Sequence, residues 1–329
     1  MMPSELKNET VMPDLRPIFL AGPTASGKSG VALELAERVG GEIISVDSMQ
    51  VYRGLDIGTA KPGAAELGRV PHHLIDVAGL DEMFDAAQFV RLARAAAGEI
   101  QARGRAPIFC GGTGLYFKAY EEGLGEAPAP DAALRAELEA RPLAELLAEL
   151  EKSDPVTFQR IDRRNPRRVI RAVEVIRLTG KRFSEQRARW AGAGRGDAGR
   201  WIGLSRPAGE LQERIARRVE EMFARGLVAE TEALLERGLE KNRTATQALG
   251  YRQVVEHLRG KRGLPETVEL VKIRTRQFAK RQLTWFRRHA RLEWISMEGQ
   301  SCEAVAGRIA LKLGLSRASQ HLHSTRNVI

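Results

Sequence analysis

Only two cysteines, Cys110 and Cys302, occur in the 329 residues of this chain. That excludes a disulfide framework and a cysteine-rich zinc cluster, and it makes a reducing compartment, the cytoplasm, the default. No apolar run approaches the ~20 residues that a membrane-spanning helix needs. Residues 1–14 are polar and mixed in charge, with no signal-peptide core. A soluble protein with no membrane partner is therefore expected. Acids are missing where their absence matters: residues 271–292 carry Lys272, Arg274, Arg276, Lys280, Arg281, Arg287, Arg288 and Arg291 and no Asp or Glu. The whole chain has a net charge of +10 and a pI of about 9.9. This excess points to a polyanionic partner, nucleic acid before membrane.

What is present begins with Gly22-Pro23-Thr24-Ala25-Ser26-Gly27-Lys28-Ser29, which reads G-x-x-x-x-G-K-[ST]. An apolar strand candidate, Pro17-Ile18-Phe19-Leu20-Ala21, precedes it, and a helically spaced run, Val31-Ala32-Leu33-Glu34-Leu35-Ala36, follows. That strand–loop–helix context is what a phosphate-binding loop requires. Its glycines let successive backbone N–H groups turn toward phosphate oxygens, and the helix N-terminus adds partial positive charge. Lys28 would neutralise outer phosphates, and Ser29 would offer its hydroxyl to Mg²⁺. A di- or triphosphate ligand is expected along residues 22–29.

The fold class expected is α/β: a P-loop core with a mainly parallel sheet flanked by helices, plus an inserted helical domain. A leader spans 1–14, the first part of the core 15–125, the helical insertion 126–200, the second part of the core with a basic helix 201–314, and a tail 315–329. In the first part, Glu42-Ile43-Ile44-Ser45-Val46 reads as a strand ending on Asp47-Ser48. Ligands gather at the carboxyl ends of such strands, so Asp47 should face the phosphate loop. A further strand, Ala106-Pro107-Ile108-Phe109-Cys110, closes on Gly111-Gly112-Thr113-Gly114 where a nucleoside triphosphatase would carry an acid for Mg²⁺. Cys110 reads as a small core residue, and Thr113 with the glycine amides as near neighbours of the phosphates. His72 and His73 alternate faces in an extended strand with no acidic partner at ligand spacing, so they do not read as a metal site.

The insertion carries Arg163, Arg164, Arg167, Arg168, Arg171, Arg177, Lys181, Arg182, Arg187 and Arg189 around the apolar positions Val169, Ile170, Val173, Val175 and Ile176, a helical unit with a positive surface. Residues 191–200 read as a flexible Gly/Ala-rich stretch. Past Pro207, a long helix has the stripe Leu211, Ile215, Val219, Met222 and Phe223. At ~100° per residue, Arg218 falls roughly 60° from Ile215 and Arg217 about 160° away. Arg217 is thus a solvated charge, whereas Arg218 leans inward and needs an anion, either a structural carboxylate or a substrate phosphate. Residues 244–252 read as a polar loop. On the last long helix, about residues 265–289, Arg276, Lys280, Thr284 and Arg287 share a face that fits a nucleic-acid track. Trp285 and Phe286 suit either stacking on bases or the core.

Taken together, these motifs resemble those of bacterial tRNA dimethylallyltransferases, also called tRNA isopentenyltransferases. The resemblance rests on residues 22–29, Ile44-Ser45-Val46-Asp47-Ser48 with Gln50-Val51-Tyr52, residues 56–62, and Pro71-His72-His73-Leu74-Ile75-Asp76. It extends to Gly111-Gly112-Thr113-Gly114-Leu115-Tyr116, Asn165-Pro166-Arg167-Arg168, Gly250-Tyr251-Arg252-Gln253 and Lys280-Arg281-Gln282-Leu283-Thr284-Trp285. It implies transfer of a dimethylallyl group from dimethylallyl diphosphate to the exocyclic amine of the adenosine just 3′ of the anticodon, with Mg²⁺ as cofactor and the insertion clasping the anticodon stem-loop. It further implies that Asp47 is the general base, that Thr24 and Arg218 act on the diphosphate, and that Thr113 and Arg135 lie next to the tRNA. The tRNA contacts it implies fall on Asp47, Ser48, Met49 and Gln50, on Arg167, Arg168 and Arg171, on Gly250, Tyr251 and Arg252, and on Lys280, Arg281, Gln282, Thr284, Trp285 and Arg287. Met49 departs from the family pattern. A monomer is expected. Two other readings share some of these features. A P-loop small-molecule or nucleotide kinase would have the loop without needing the basic surfaces. A non-catalytic RNA-binding protein would have the surfaces without needing Asp47.

Overall fold

The computed structural model describes residues 15–125, 127–186, 199–288 and 292–315. The leader at 1–14, the tail beyond Leu315, most of the 191–200 stretch, and Arg187, Arg189 and Arg291 lie outside the described residues. Six strands form one parallel sheet: β1 (Ile18–Ala21), β2 (Glu42–Val46), β3 (His72–His73), β4 (Pro107–Gly111), β5 (Arg200–Ser205) and β6 (Glu293–Ser296). Their order is β3-β2-β4-β1-β5-β6, and every pair is parallel. The interior strands are apolar throughout because helices cover both faces.

Alternation along the strands sorts side chains between two cores. Ile18 and Leu20 of β1, with Ile108 and Cys110 of β4, pack against Val31 and Leu35 of the helix Lys28–Val39 and against Val305 and Ile309 of the helix Cys302–Lys312. Cys110 is thus the core residue the sequence suggested. The opposite face is aromatic: Phe19 stacks on Trp201 at 4.3 Å between ring centroids and lies 4.9 Å from Phe109. Phe117 and Phe286 continue this layer. Phe286 is fully buried, which settles it as core.

The chain leaves β1 toward β2 and leaves β4 toward β5, in opposite directions across the sheet. Between the carboxyl ends of such neighbours an α/β sheet opens a crevice. The phosphate loop, Asp47 and the Gly111–Gly112 turn all stand at that edge.

At the other end of the sheet, Glu42 is 2% exposed and accepts hydrogen bonds from Arg103 at 2.7 Å and Arg105 at 3.2 Å, with His73 Nε2 at 2.7 Å. His73 therefore does have an acidic partner, brought from 31 residues away by pairing of β2 with β3. His72 instead bonds the Val70 carbonyl.

Contacts divide the chain into two compact units, Met1–Phe117 with Asp197–Ile329, and Lys118–Gly196. The second unit was expected at 126–200. It is helical, with Leu138, Leu146, Leu150, Val169 and Val173 in its own core. After Asp131 come two helices, Ala132–Ala140 and Leu143–Ser153, because Pro142 cannot continue the first. Asp131 caps the first, accepting from Leu134 N at 2.7 Å. The basic surface is narrower than the sequence implied. Arg177 pairs with Glu137 and Glu149, and Arg135 and Arg171 both bind the fully buried Glu174. Arg163, Arg164, Arg167, Arg168, Lys181 and Arg182 are exposed. A second boundary also differs: the helix Tyr251–Leu258 starts inside the loop expected at 244–252. Gly250, at φ +92°, turns the chain, and Gln253 accepts its N–H at 3.0 Å.

The Glu42 cluster should make folding stability acid-sensitive. Burial alone would raise this carboxyl, but the bonds from Arg103 and His73 outweigh it and hold the pKa below the ordinary 4.5. Its stabilisation is therefore complete above the unfolded value and is lost as pH falls through the lower folded value. Glu42→Gln should lower unfolding free energy at neutral pH by about 1–3 kcal/mol. It should also flatten the acid side of the stability curve, as read by urea titration across that range. An unchanged acid limb would show that the cluster contributes nothing.

Candidate active site

The phosphate loop is held in a shape that its sequence permits and few others would. Gly22 has φ +154°, and a Cβ there would sit 2.6 Å from Leu204 O. Gly27 has φ +100°, and Ala25 is left-handed at φ +62°. Arginines tie down two loop carbonyls: Arg214 Nε donates to Ala25 O at 3.0 Å and Arg206 Nε to Ser26 O at 2.9 Å. Arg206 also bonds Met297 O and pairs with Glu210. Lys28 Nζ donates to Pro23 O at 2.7 Å, which curls its ammonium into the loop. Burial lowers its pKa to about 8; Arg218 adds to that, while Cys110 and Asp47 oppose it. Burial in turn lifts the Cys110 thiol to about 11, so it stays protonated.

Asp47 follows β2. Its Oδ1 accepts from Met49 N at 2.8 Å and Gln50 N at 3.3 Å, a turn that fixes the carboxylate; among the described residues Oδ2 has no hydrogen bond. Thr113 Oγ1 accepts from Ser48 N at 3.1 Å, bringing the β4 exit against the same turn. Gln50 accepts from Ser45 Oγ and donates to the carbonyls of Thr59 and Ala60. The 56–60 loop is pinned from its other side. Tyr251, fully buried, donates to Glu230 at 2.5 Å and accepts from Gly58 N at 3.0 Å, while Glu230 accepts from Ile57 N at 3.0 Å.

Arg218 lies on the helix Ala208–Ala224, whose buried stripe is Ile215, Val219 and Met222. Its Nε is buried with no hydrogen-bond partner, and no ion pair engages it among the described residues. Burial lowers its pKa, Asp47 opposes the shift, and Arg214 adds to it. Among the described residues, the carboxylate partner that would have made Arg218 structural does not occur. Arg217 is exposed, as the helical phase requires, although it stands on the rim of the same cavity.

Two cavities meet at these residues. One, of about 550 Å³, is walled by the phosphate loop, Cys110, Gly111, Gly112, Arg214, Arg217 and Arg218. The other, of about 610 Å³, is walled by Ser48, Met49, Thr113, residues 247–249, Arg252, Arg274, Thr275 and Arg281. Thr24, Asp47, Thr59, Arg218, Met222 and Phe278 belong to both. A cationic compartment and a mixed polar and apolar one thus share a carboxylate, two hydroxyls and a guanidinium.

The structure brings Thr24, Lys28, Ser29, Asp47, Ser48, Met49, Gln50, Thr113, Arg218, Arg252 and Arg281 to this pair of cavities. It leaves Lys280, Thr284 and Arg287 exposed on the helix Leu264–Arg287. A shallow groove on that helix is lined by Lys280, Arg281, Thr284, Trp285 and Arg288. Trp285 also packs on Gly114, where a Cβ would lie 2.3 Å from its ring. Tyr251 is fully buried and Gln282 nearly so, with their polar atoms bonded within the protein, and Gln282 shows its remaining surface to the phosphate-loop cavity. Sequence reasoning missed Arg206, Arg214, Met222 and Phe278. The first two were within reach, since Arg214 precedes Arg218 by one helical turn and Arg206 ends β5 beside the loop.

A family model described as IPP transferase matches residues 50–289. The chain is similar to tRNA dimethylallyltransferase 1 of Trichlorobacter lovleyi, 47% identical over 285 residues, which span 85% of this chain and 93% of that relative. The tRNA dimethylallyltransferase of Thermomicrobium roseum is 46% identical over 282 residues, spanning 84% and 85%. Among solved structures, the tRNA isopentenylpyrophosphate transferase of Bacillus halodurans superposes with a TM-score of 0.66 at 39% identity, covering 94% of this chain and 99% of that one. A eukaryotic dimethylallyltransferase acting on tRNA gives 0.70 at 27% identity, covering 85% and 73%.

The helical phase and the orphaned guanidinium generate one prediction. Arg218→Ala should weaken binding of inorganic diphosphate about tenfold or more, the scale of one lost charge-assisted bond. Arg217→Ala should change it less than about twofold, as for a screened surface charge. Calorimetric titration of both variants, with thermal melts to confirm folding, checks this. Equal losses would refute the assignment of Arg218 as the inward cation.

Proposed function

The chain belongs to the IPP transferase family, and from that we infer that it transfers a dimethylallyl group from dimethylallyl diphosphate to the N6 amine of the adenosine 3′ of the anticodon in tRNA, releasing diphosphate. The observation that carries the residue-level reading is the meeting of two cavities at Asp47, Thr24 and Arg218. The cationic cavity takes the diphosphate, which lies along residues 22–29 with Lys28 and Arg218 on its oxygens. The other takes the adenine, which must leave the base stack to bring its amine within reach. Met222 and Phe278, common to both, suit the apolar five-carbon group between them.

In the transfer, the N6 nitrogen forms a bond to C1 of the dimethylallyl group while the C1–O bond breaks, and its electron pair leaves with diphosphate. The amine is a poor nucleophile, and Asp47 takes the proton it sheds. Lys28, Arg218 and the loop N–H groups oppose the charge that grows on the leaving oxygens. The Thr24 hydroxyl, on the wall of both cavities, orients the bridging oxygen. No cluster of three His, Cys, Asp or Glu side chains occurs among the described residues. The Ser29 hydroxyl is the hard oxygen donor that would hold Mg²⁺. Bound there, Mg²⁺ would shield the diphosphate charge.

On the helical unit Arg167 and Arg168 are the candidate tRNA contacts; on the core they are Lys280, Arg281, Thr284, Trp285 and Arg287. Arg135 and Arg171 reach it from the rigid pairing with Glu174. No helix among the described residues is long and apolar enough to cross a membrane. The protein works on tRNA in the cytoplasm, as a monomer.

The test is to incubate the protein with unmodified tRNA, Mg²⁺ and either dimethylallyl diphosphate or ATP, then digest the tRNA to nucleosides. Dimethylallyl-adenosine should appear with the first donor only; phosphoryl transfer from ATP would favour a kinase, and binding without product a non-catalytic RNA-binding protein. Asp47→Ala should lower turnover about 10²–10⁴-fold, as for loss of a general base, while stem-loop affinity holds. Near-normal single-turnover rates would remove Asp47 as the base.

A second prediction concerns the basic residues. Arg167→Gln and Lys280→Gln should each weaken tRNA binding and make the salt dependence of log Kd shallower by roughly one unit or less, as for one lost phosphate contact. Diphosphate affinity should not move. Titrations of tRNA at several salt concentrations, for the singles and the double, check it; a double variant with wild-type affinity and slope would mean these charges are merely solvated.

A further inference from the structure

Gln282 sits among residues whose motif suggests tRNA contact, yet it is 8% exposed. Both ends of its amide are used. Oε1 accepts the Thr24 N–H at 2.8 Å, and Nε2 donates to Gly112 O at 3.0 Å. The contact is close: a Cβ on Gly112 would lie 2.1 Å from Gln282 Nε2. The same helix carries Phe278, which lines both cavities, Arg281, which lines the second, and Trp285, which rests on Gly114. Successive turns of one helix therefore wall the acceptor cavity, grip the phosphate loop and lie on the exit of β4.

We propose that Gln282 is a positioning residue for the transfer reaction: its amide locks the phosphate loop at Thr24 to the β4 exit at Gly112, and so sets the diphosphate against the acceptor. The chemistry requires a side chain that accepts from Thr24 and donates to Gly112 at once. Gln does so in a single orientation. Without it, a loop N–H and a strand-end carbonyl lose their partners, and the Thr24 hydroxyl loses its anchor at the junction of the cavities. A shift of about an ångström there costs on the order of a hundredfold in rate. The exposed polar side chains on the outer face of the helix, Lys280 and Thr284 among them, are left to the RNA.

This inference rests on the proposed function, so the wild-type protein must first transfer dimethylallyl to tRNA; if it does not, that reading fails and not this one. Gln282→Met, close in shape, removes both bonds. It should lower kcat by about ten- to a hundredfold and weaken inorganic diphosphate binding, with stem-loop Kd within about twofold of wild type. Gln282→Glu supplies a second readout that a merely structural role would not move. Its carboxylate accepts from Thr24 but cannot donate to Gly112, whereas its protonated form can do both. Its deficit relative to wild type, compared at each pH, should shrink as pH falls, while that of Gln282→Met stays constant. If Gln282→Met does not fold, the pH profile of Gln282→Glu carries the test alone. Weaker stem-loop binding with unchanged kcat and diphosphate affinity would make Gln282 a tRNA contact and overturn the proposal. So would wild-type kinetics in both variants, or a Gln282→Glu deficit that does not depend on pH.

Discussion

Positive charge kept from water without a counter-ion of its own is the constraint on which the site depends. Lys28 is lowered to a pKa of about 8, chiefly by burial, and Arg218 is lowered by the same cause with its Nε unpartnered. Arg214 is lowered as well, and its Nε is spent on a loop carbonyl. Holding such ions costs several kcal/mol each when nothing neutralises them. Asp47 opposes the shifts at both Lys28 and Arg218, but one carboxylate cannot balance the group. A diphosphate can. In the proposed transfer, charge would build on oxygens facing these cations as the C1–O bond breaks, so the same groups would bind the transition state better than the ground state.

The parts of this site that were legible in the sequence are those set by local geometry. Eight consecutive residues define the phosphate loop, and their conformation is largely their own. Asp47 followed from its place at the end of an apolar strand. Arg218 followed from helical phase alone, because 100° per residue leaves little choice once Ile215 and Val219 are known to be inside. The illegible parts are pairings across the chain. Gln282 reaches Thr24 over 258 residues, and Tyr251 reaches Gly58 over 193. No periodicity announces such contacts, and a glutamine inside a basic run reads as one more surface residue. The pairing of Arg135 and Arg171 was hidden for a related reason: their shared carboxylate, Glu174, lies on the apolar face of its helix, where sequence reasoning does not expect a charge.

The helix Leu264–Arg287 shows how one element serves two compartments. Phe278, Gln282 and Phe286 recur at four-residue intervals and face inward, while Lys280, Arg281, Thr284 and Arg287 are exposed. The basic residues that made this stretch stand out lie mostly on the outer face. Farther back, Lys272 is neutralised by Glu220 and Glu269.

The missing acid after β4 has a steric cause. A Cβ on Gly111 would lie 2.1 Å from Val46 O, a backbone atom that cannot move aside, and one on Gly112 would meet Gln282 at 2.1 Å. The position from which a nucleoside triphosphatase holds Mg²⁺ and guides water is closed to any side chain. The carboxylate instead stands one strand over, at the end of β2, on the wall common to both cavities. In the proposed transfer it would address an acceptor entering from the second cavity, opposite the diphosphate. A loop shared with enzymes that pass phosphoryl groups to water or small alcohols is thereby turned to a different bond. The diphosphate is held as a leaving group, and the carbon attached to it is presented to an amine.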